Sequence, residues 1–487
     1  MSDGASITLP AIDPGRRFGR SPCDSAPACS ERAERPLRVL HVSAADHMGG
    51  AEQVGHMLFD AQRARGHEAW MAVGKRTREH PAVFEIPNDR RRHAWARACE
   101  AAAAALEPMS NVKGIKRVQL TLRETIGQPM RTRARKRGEE DFEFPGTAEL
   151  LSLAPAMPHL VHLHNLHSPR GYFDLRRLPE ISRRVPTIVT LHDAWLLAGH
   201  CAHSFECERW RTGCGACPDL SIYPPVDRDA TAFNWRRKRD VFAASRVYVS
   251  ACSQWLLDRA RESLVSPAIV EGRVIYNGVD RSIFCPGDQV EARAAVGLPV
   301  DGPVLLFAAN GVRNNCFKDF KTMRASLAIV AERWAGPAVT FVALGEDCPP
   351  EQVGRATIRF VPFQRDPNVV AQYHRAADVY LHAARADSLP IAILEAFACG
   401  RSVVASRVSG IPEQIEEGVN GHMAPVGDAE TFAARVLELL ADPVKRAAMG
   451  ERGAALVAEK FDVRQQVEAY EKWYREILER EGGRTSR

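Results

Sequence analysis

Asp387-Ser-Leu-Pro-Ile-Ala-Ile-Leu-Glu395-Ala-Phe397 is the stretch whose reading decides the fold of this chain. Two carboxylates stand eight positions apart, with a Ser-Leu-Pro turn after the first. Pro390 suits the first turn of a helix, where a missing N–H costs nothing. Ile391, Leu394 and Ala398 then recur at helical spacing, and Cys399-Gly400 closes the helix. Ser402-Val-Val-Ala-Ser406 follows, a short apolar run of the kind a buried parallel strand shows. The order is therefore loop, helix N-terminus, helix, strand. Such a loop offers unpaired backbone N–H groups and the positive end of a helix dipole, a seat for a phosphate. Glu395, about one turn further in, is placed to accept hydrogen bonds from a ribose. Two acids on one helix also describe an ordinary solvated face, so the assignment rests on the surrounding chain.

At 487 residues the chain has room for two core-building domains. Apolar residues at 45% and charged residues at 26% describe an ordinary water-soluble composition, and a net charge of +5 over this length selects no partner. No run of 18 apolar residues occurs, so no transmembrane helix is expected. Residues 1–36 are rich in Pro, Ser, Gly and Arg without a signal-type apolar core, and a disordered tail is expected there. Twelve cysteines without a secretion signal point to reduced thiols or metal in the cytoplasm rather than a disulfide framework.

Order begins at Leu37-Arg-Val-Leu-His-Val-Ser43, which feeds the glycine loop Asp46–Glu52, a helix from Val54 to Arg65, and the strand Ala69–Val73. This is the strand–loop–helix–strand unit of nucleotide-binding sheets. The Gly-x-Gly-x-x-Gly dinucleotide fingerprint is missing, which argues against a nicotinamide enzyme. Leu160–His164 and Pro186–Asp193 are further strands leading to loops at the sheet's carboxyl edge. His162 and His164 share one strand face. With no third ligand near them in sequence, they read as site lining rather than a metal pair. Val247–Ala251 continues the alternation, and an Asn-Gly turn near Asn277 ends a first domain, 37–282. A second domain, 283–462, opens at Pro303–Ala308. It carries the loop Gly311-Val-Arg313 to Lys318-Asp319, a helix from Phe320, and three further strands before the Asp387 block. Residues 463–487 read as a last helix bearing Tyr470, Trp473, Tyr474 and Ile477.

Two segments stand outside this alternation. In 85–138, arginines and lysines outnumber acids, and Trp95, Leu106, Val112, Ile115, Val118, Leu122 and Ile126 lie between them, partly at helical spacing. One or two basic amphipathic helices are expected, either a solvated insertion or a membrane-surface contact. Nucleic acid is not favoured, because no aromatic platform accompanies the charge. In 201–217, Cys201, Cys207, Cys214 and Cys217 close on a Cys-x-x-Cys pair. Structural zinc comes first there, with free thiols second and disulfides third. Asp227-Arg-Asp229 matches an Asp-x-Asp metal-binding triplet, but it follows a proline-rich loop rather than a strand.

Asp387 and Glu395, Leu389-Pro390, Glu395–Gly400, Val404-Ala405 and Gly410-Ile-Pro-Glu413 together resemble the donor block of the retaining family 4 glycosyltransferases, which fold as two Rossmann-like domains (GT-B). The resemblance runs through Gly418–Gly421 and His422–Pro425. His192-Asp-Ala-Trp through Trp210 and Cys217-Pro is similar to a subgroup making colanic-acid-type exopolysaccharides. There are two departures. The first acid is usually Glu and here is Asp387, and the glycine usual after the lysine is Asp319. The resemblance implies an α/β fold of two doubly wound domains facing a cleft and a nucleoside-diphosphate-sugar donor. It also implies a glycan or lipid-linked acceptor, and no cofactor for catalysis beyond the candidate structural zinc. Arg313 and Lys318 would hold the diphosphate, and the backbone at Ser388, Leu389, Pro390 and Ile391 the phosphates. Glu395 would hold the ribose, Asp387 the sugar hydroxyls, and Gly49 and Gly50 would let backbone approach the donor. His192, in Thr190-Leu-His192-Asp193, would stand beside the reacting carbon. The expected place of work is the cytoplasm, at the inner face of the membrane. Two other readings compete: a nucleic-acid-binding protein with a zinc knuckle and basic arm, and a sugar-nucleotide epimerase of the same fold.

Overall fold

Mostly apolar runs of three to eight residues, separated by amphipathic helices, make two seven-stranded sheets in the computed structural model. The structure describes residues 35–46, 49–168 and 171–485, so the expected tail lies outside the described residues. The first sheet contains β1 (Arg38–Ala45), β2 (Glu68–Lys75), β3 (Val83–Glu85), β4 (Leu160–Leu163), β5 (Thr187–Leu191), β6 (Val247–Ala251) and β7 (Ile269–Val274). Its order is β3-β2-β1-β4-β5-β6-β7, and every pair is parallel.

The second sheet contains β8 (Val304–Ala308), β9 (Thr340–Leu344), β10 (Glu351–Val353), β11 (Ala356–Val361), β12 (Val379–His382), β13 (Ser402–Ser406) and β14 (Gly421–Ala424). Its order is β10-β11-β9-β8-β12-β13-β14, parallel except for the short β10–β11 pair at one edge. Both sheets reverse their strand order beside the first strand, between β1 and β4 and between β8 and β12. In open α/β sheets the crevice at the carboxyl end of such a reversal is where ligands bind. The fold is therefore the expected pair of doubly wound α/β domains.

The chain crosses between the sheets twice, and the crossings pair. Val279 N donates to Phe461 O at 2.8 Å and Val463 N to Val279 O at 3.2 Å. Gly278 is required here, because a Cβ would stand 2.5 Å from the Val463 Cα. The final helix, Val463–Thr485, then packs on the first sheet. Val467, Tyr470, Trp473, Tyr474 and Ile477 share a core there with Val39, Leu160, Ile188 and Tyr248. Among the described residues no helix is long and apolar enough to cross a membrane.

The basic segment folds as five helical pieces: Ala94–Ala105, a 3-10 turn at Glu107–Met109, Ile115–Leu120, a π turn at Thr121–Ile126, and Pro129–Lys136. Gly114, at φ +94°, breaks the run before the third piece. Arg131 is tied to Asp141, and Arg135 Nη2 to Glu124 Oε2 at 2.5 Å, so part of the basic charge holds the insertion together.

Candidate active site

The site grows from two loops at the β8/β12 reversal. The loop after β8 carries Arg313 and Lys318, and the loop after β12 carries Asp387. Backbone contacts zip the two together: Asp319 N donates to Ala383 O at 3.0 Å and Arg385 N to Phe317 O at 2.9 Å. Lys318 Nζ consequently stands 2.5 Å from Asp387 Oδ2. His382, at the end of β12, completes a triangle, its Nε2 3.2 Å from the same oxygen and 3.3 Å from Lys318 Nζ. Burial opposes ionisation of Asp387, but Lys318 and the His382 contact override it and hold the carboxyl well below the usual range. Burial, with Lys318 adding to it, pushes His382 down to about 4, so the imidazole is neutral at physiological pH. In the sequence His382 shows only as a histidine closing a buried apolar strand, five positions before the acid.

Arg313 is separate from this triangle. Its Nε donates to Glu346 Oε1 at 2.6 Å, and the Val312 and Arg313 amides take the other oxygen at 2.9 and 2.7 Å. Each cation expected on a diphosphate therefore rests on a carboxylate of its own.

The helix Ile391–Ala398 begins after Pro390, one residue later than the sequence suggests. The Ser388 and Leu389 N–H groups donate to no acceptor among the described residues, as a phosphate seat requires. Gly410 lets the neighbouring loop close over them, since a Cβ there would meet Ser388 O at 1.8 Å. The Leu389 side chain is buried in the core of the first sheet. Ile391 packs against both the second-sheet core and the final helix. Glu395 is partly exposed on the same helix, its Oε2 3.4 Å from the buried His374 Nε2.

In the first domain, Gly49 caps the helix Gly50–Ala64, and the space beside Gly50 is open. His192 follows β5, with a buried Nε2 that has no partner among the described residues. Burial pushes its pKa down to about 4 against the pull of the Asp193 charge, so it too is neutral near pH 7. Asp193 is held by His167 Nε2 at 2.7 Å and by Trp195 N at 2.9 Å.

Three features correct or extend the sequence reading. His162 and His164 do have a third histidine beside them: His41 on β1, brought in by the β1–β4 pairing, with ring nitrogens of all three within 4.8 Å. Their hydrogen-bonding capacity is largely spent. His41 bonds to His164 at 3.0 Å and to Gln62 Oε1 at 2.9 Å, while His162 bonds to Tyr474 OH at 2.6 Å and Thr190 Oγ1 at 2.5 Å. His162 is thus a buried anchor for the final helix and does not line the cleft. Second, Cys201, Cys207, Cys214 and Cys217 are all free and lie in one loop. Burial, then neighbouring thiols, push Cys201 up to about 12. Among the described residues no three of these sulfurs lie within 4.8 Å of one another. That loop also bridges the domains, with Phe205 stacked on Phe317 and His203 Nε2 3.0 Å from Ser409 Oγ. Third, Glu413 of the second domain accepts from the Gln254 and Trp255 amides at 2.7 and 2.8 Å, capping the helix Gln254–Glu262 of the first. Asp229, of the discounted acidic triplet, is occupied by Cys217 N and Thr231.

The arrangement is the two-domain GT-B fold, with unpaired loop amides at the strand reversal of the second domain and a histidine-bearing edge on the first. Residues 302–442 match the family described as glycosyl transferases group 1, and the chain carries a domain of that family. The D-inositol 3-phosphate glycosyltransferase of Saccharomonospora viridis is 33% identical over 42% of this chain and 50% of its own length. The putative colanic acid biosynthesis glycosyl transferase WcaC of Escherichia coli is 27% identical over 54% of this chain and 63% of its own. The chain spans about half the length of the first curated relatives it matches. Anabaena HepE, solved with UDP and glucose, superposes with a TM-score of 0.57 at 16% identity, covering 90% of this chain and 98% of that one. Sucrose-phosphate synthase from Thermosynechococcus elongatus gives 0.57 at 14% identity over 91% and 99%.

Proposed function

We propose that this chain transfers a sugar from a nucleoside-diphosphate sugar to a hydroxyl acceptor, with retention of the anomeric configuration. One observation carries the reading: the unpaired Ser388 and Leu389 amides lie beside the Lys318–Asp387–His382 triangle at the β8/β12 reversal, inside a group 1 glycosyltransferase domain. In the transfer, the bond from the anomeric carbon to the diphosphate oxygen breaks. The acceptor oxygen bonds to that carbon on the same face, and its proton passes to the departing diphosphate. Negative charge grows on the leaving group, and Lys318, Arg313 and the loop amides are the donors placed to meet it. Glu395 takes the ribose hydroxyls, Asp387 orients Lys318 and the sugar, and neutral His192 faces the reacting carbon without adding charge. Catalysis on this plan uses no metal.

HepE with UDP and glucose, and starch synthase IV from Arabidopsis thaliana with ADP and acarbose, support the donor class. The acceptor in this reading is a glycan or lipid-linked glycan at the cytoplasmic membrane face. Seven of the fourteen exposed large apolar side chains among the described residues fall in the helical insertion, Trp95 at 58% and Met130 at 73% exposure among them. Arg97, Lys113 and Lys116 lie between them and Arg133 just after, a pattern that suits an anionic lipid surface. A structural zinc on the four cysteines belongs to the same proposal, and it requires the sulfurs to draw together around Zn–S bonds of about 2.3 Å.

Incubation with UDP-, GDP- and ADP-sugars and a glycan acceptor, followed by NMR of the new linkage, tests the reading. Nucleoside diphosphate release with an axial or equatorial bond matching the donor is expected. An altered free sugar nucleotide formed without acceptor would replace it with epimerisation.

A further inference from the structure

A cavity of about 590 Å³ lies under the helical insertion, apart from the donor loops. Its roof includes Arg117, Thr125 and Lys136, its floor His167 and Trp195, and Glu140 lies between them. The volume is within the range of about 300–1,000 Å³ that small-molecule sites occupy. The floor adjoins the reaction edge of the first domain, since His167 bonds to Asp193, the residue after His192.

Two buried polar atoms of the lining have no partner in hydrogen-bond geometry among the described residues: Glu140 Oε2, which has the Trp195 indole near it, and His167 Nδ1. The other oxygen of Glu140 takes Lys238 Nζ at 2.8 Å, and the lysine also donates to Trp195 O at 2.8 Å and Ala198 O at 2.9 Å. That corner is therefore fixed. A carboxylate oxygen is an acceptor. In the neutral ring with Nε2–H donating to Asp193, the His167 Nδ1 is an acceptor as well. Buried polar atoms call for partners, and two waiting acceptors at fixed positions call for a ligand that presents hydroxyl donors.

The roof asks for something else. The other acids of the wall are occupied: Glu124 by Arg135, Glu139 by Arg137, and Asp141 by Arg131. Arg117 and Lys136 make no ion pair among the described residues, and Asp227 is the one lining acid also without one. Two free cations match the charge of about −1.5 to −2 on a phosphate monoester near pH 7 better than a single carboxylate.

We propose that this cavity binds the acceptor, and that the acceptor is a saccharide bearing a phosphate group. Its hydroxyls face Glu140 and His167 on the floor, and its phosphate faces Arg117 and Lys136 on the roof. The inference rests on the glycosyltransferase reading and assigns its second substrate. Orientation follows from the charges: the phosphate end points toward the insertion, and a hydroxyl end is turned to the edge where His192 stands.

The test is titration calorimetry on the full chain with UDP present, using glucose 1-phosphate, glucuronate and methyl glucoside as probes. Glucose 1-phosphate should bind at least tenfold more tightly than either other sugar. The double variant Arg117→Ala/Lys136→Ala should lose at least tenfold of that affinity, and Lys318→Ala none of it. Equal binding of the three probes, absence of binding by all three, or loss confined to Lys318→Ala would overturn the proposal, the last by placing the phosphosugar in the donor site. UDP affinity in the same proteins reports separately on the donor reading: absent UDP binding in the wild type undermines the function, whereas retained UDP binding with a failed probe undermines only the cavity.

Discussion

Lys318 Nζ lies 2.5 Å from Asp387 Oδ2, although 69 residues of chain separate them. His382 Nε2 touches both. The shorter acid in place of the family's glutamate sits within direct reach of the lysine, and the neutral imidazole supplies the second contact that fixes it. On the proposed plan Lys318 passes from Asp387 to the donor phosphate before chemistry, and the triangle would hold the lysine a short movement from where charge develops.

Lys318→Ala should lower turnover by about two to three decades, the usual worth of one fixed donor to a developing anion, with donor affinity changed far less. Arg313→Ala should act in the same direction. His382→Leu, which removes the hold on Asp387, should cost turnover too, and His382→Gln, which keeps an N–H, should recover most of it. Steady-state kinetics beside donor calorimetry make the comparison. Equal losses in the leucine and glutamine variants would reduce His382 to packing.

Glu395→Ala should weaken donor binding at least tenfold and leave the melting temperature nearly unchanged. A carboxylate accepting from ribose hydroxyls makes charge-assisted bonds worth about 1.5–3 kcal/mol each. Unchanged affinity would remove Glu395 from the site.

Stability should fall in mild acid. His41, His192, His203 and His382 are pushed to about 4 in the folded chain, burial being the main cause in each. Unfolded, they titrate near 6.5, so between about 6.5 and 4 the unfolded chain binds more protons and is favoured as pH drops. Each such histidine contributes up to about 3 kcal/mol that is complete above 6.5 and lost toward 4. Asp387, held low, adds a further loss below its ordinary range. Denaturant midpoints measured from pH 8 to 4 should decline, steeply below 6.5. A flat profile would show that the histidines are not buried and neutral.

If Cys201, Cys207, Cys214 and Cys217 close on an ion, protein purified without chelator should contain about one zinc per chain by elemental analysis. Brief EDTA should leave turnover nearly unchanged, because the leaving diphosphate is met by Lys318, Arg313 and amides. Zinc-free protein would leave the loop with free thiols. Activity lost to chelator and restored by magnesium would reassign the work to a metal.

Full-length protein should float with anionic vesicles at low salt and release as salt rises, each Lys or Arg near the surface adding about 1 kcal/mol. Replacing Trp95 and Met130 with serine should weaken flotation further. Salt-independent flotation, or none, would make the insertion only the cavity's roof.

The sequence by itself determined the alternation of strand and helix, the loop before the helix at Ile391 and the basic insertion. These depend on periodicity and turn chemistry within ten or twenty residues, and they are written locally. It could not determine which loops meet. Lys318 reaches Asp387 because β8 and β12 are neighbours, His41 joins His162 because β1 pairs with β4, and Glu413 caps a helix of the other domain because the crossings at Val279 and Val463 pair. Such contacts depend on strand order and on the packing of whole elements, to which side chains far apart in the chain contribute together. For the same reason, the unpaired acceptors of Glu140 and His167 come to face one cavity only when the insertion folds back over the sheet edge.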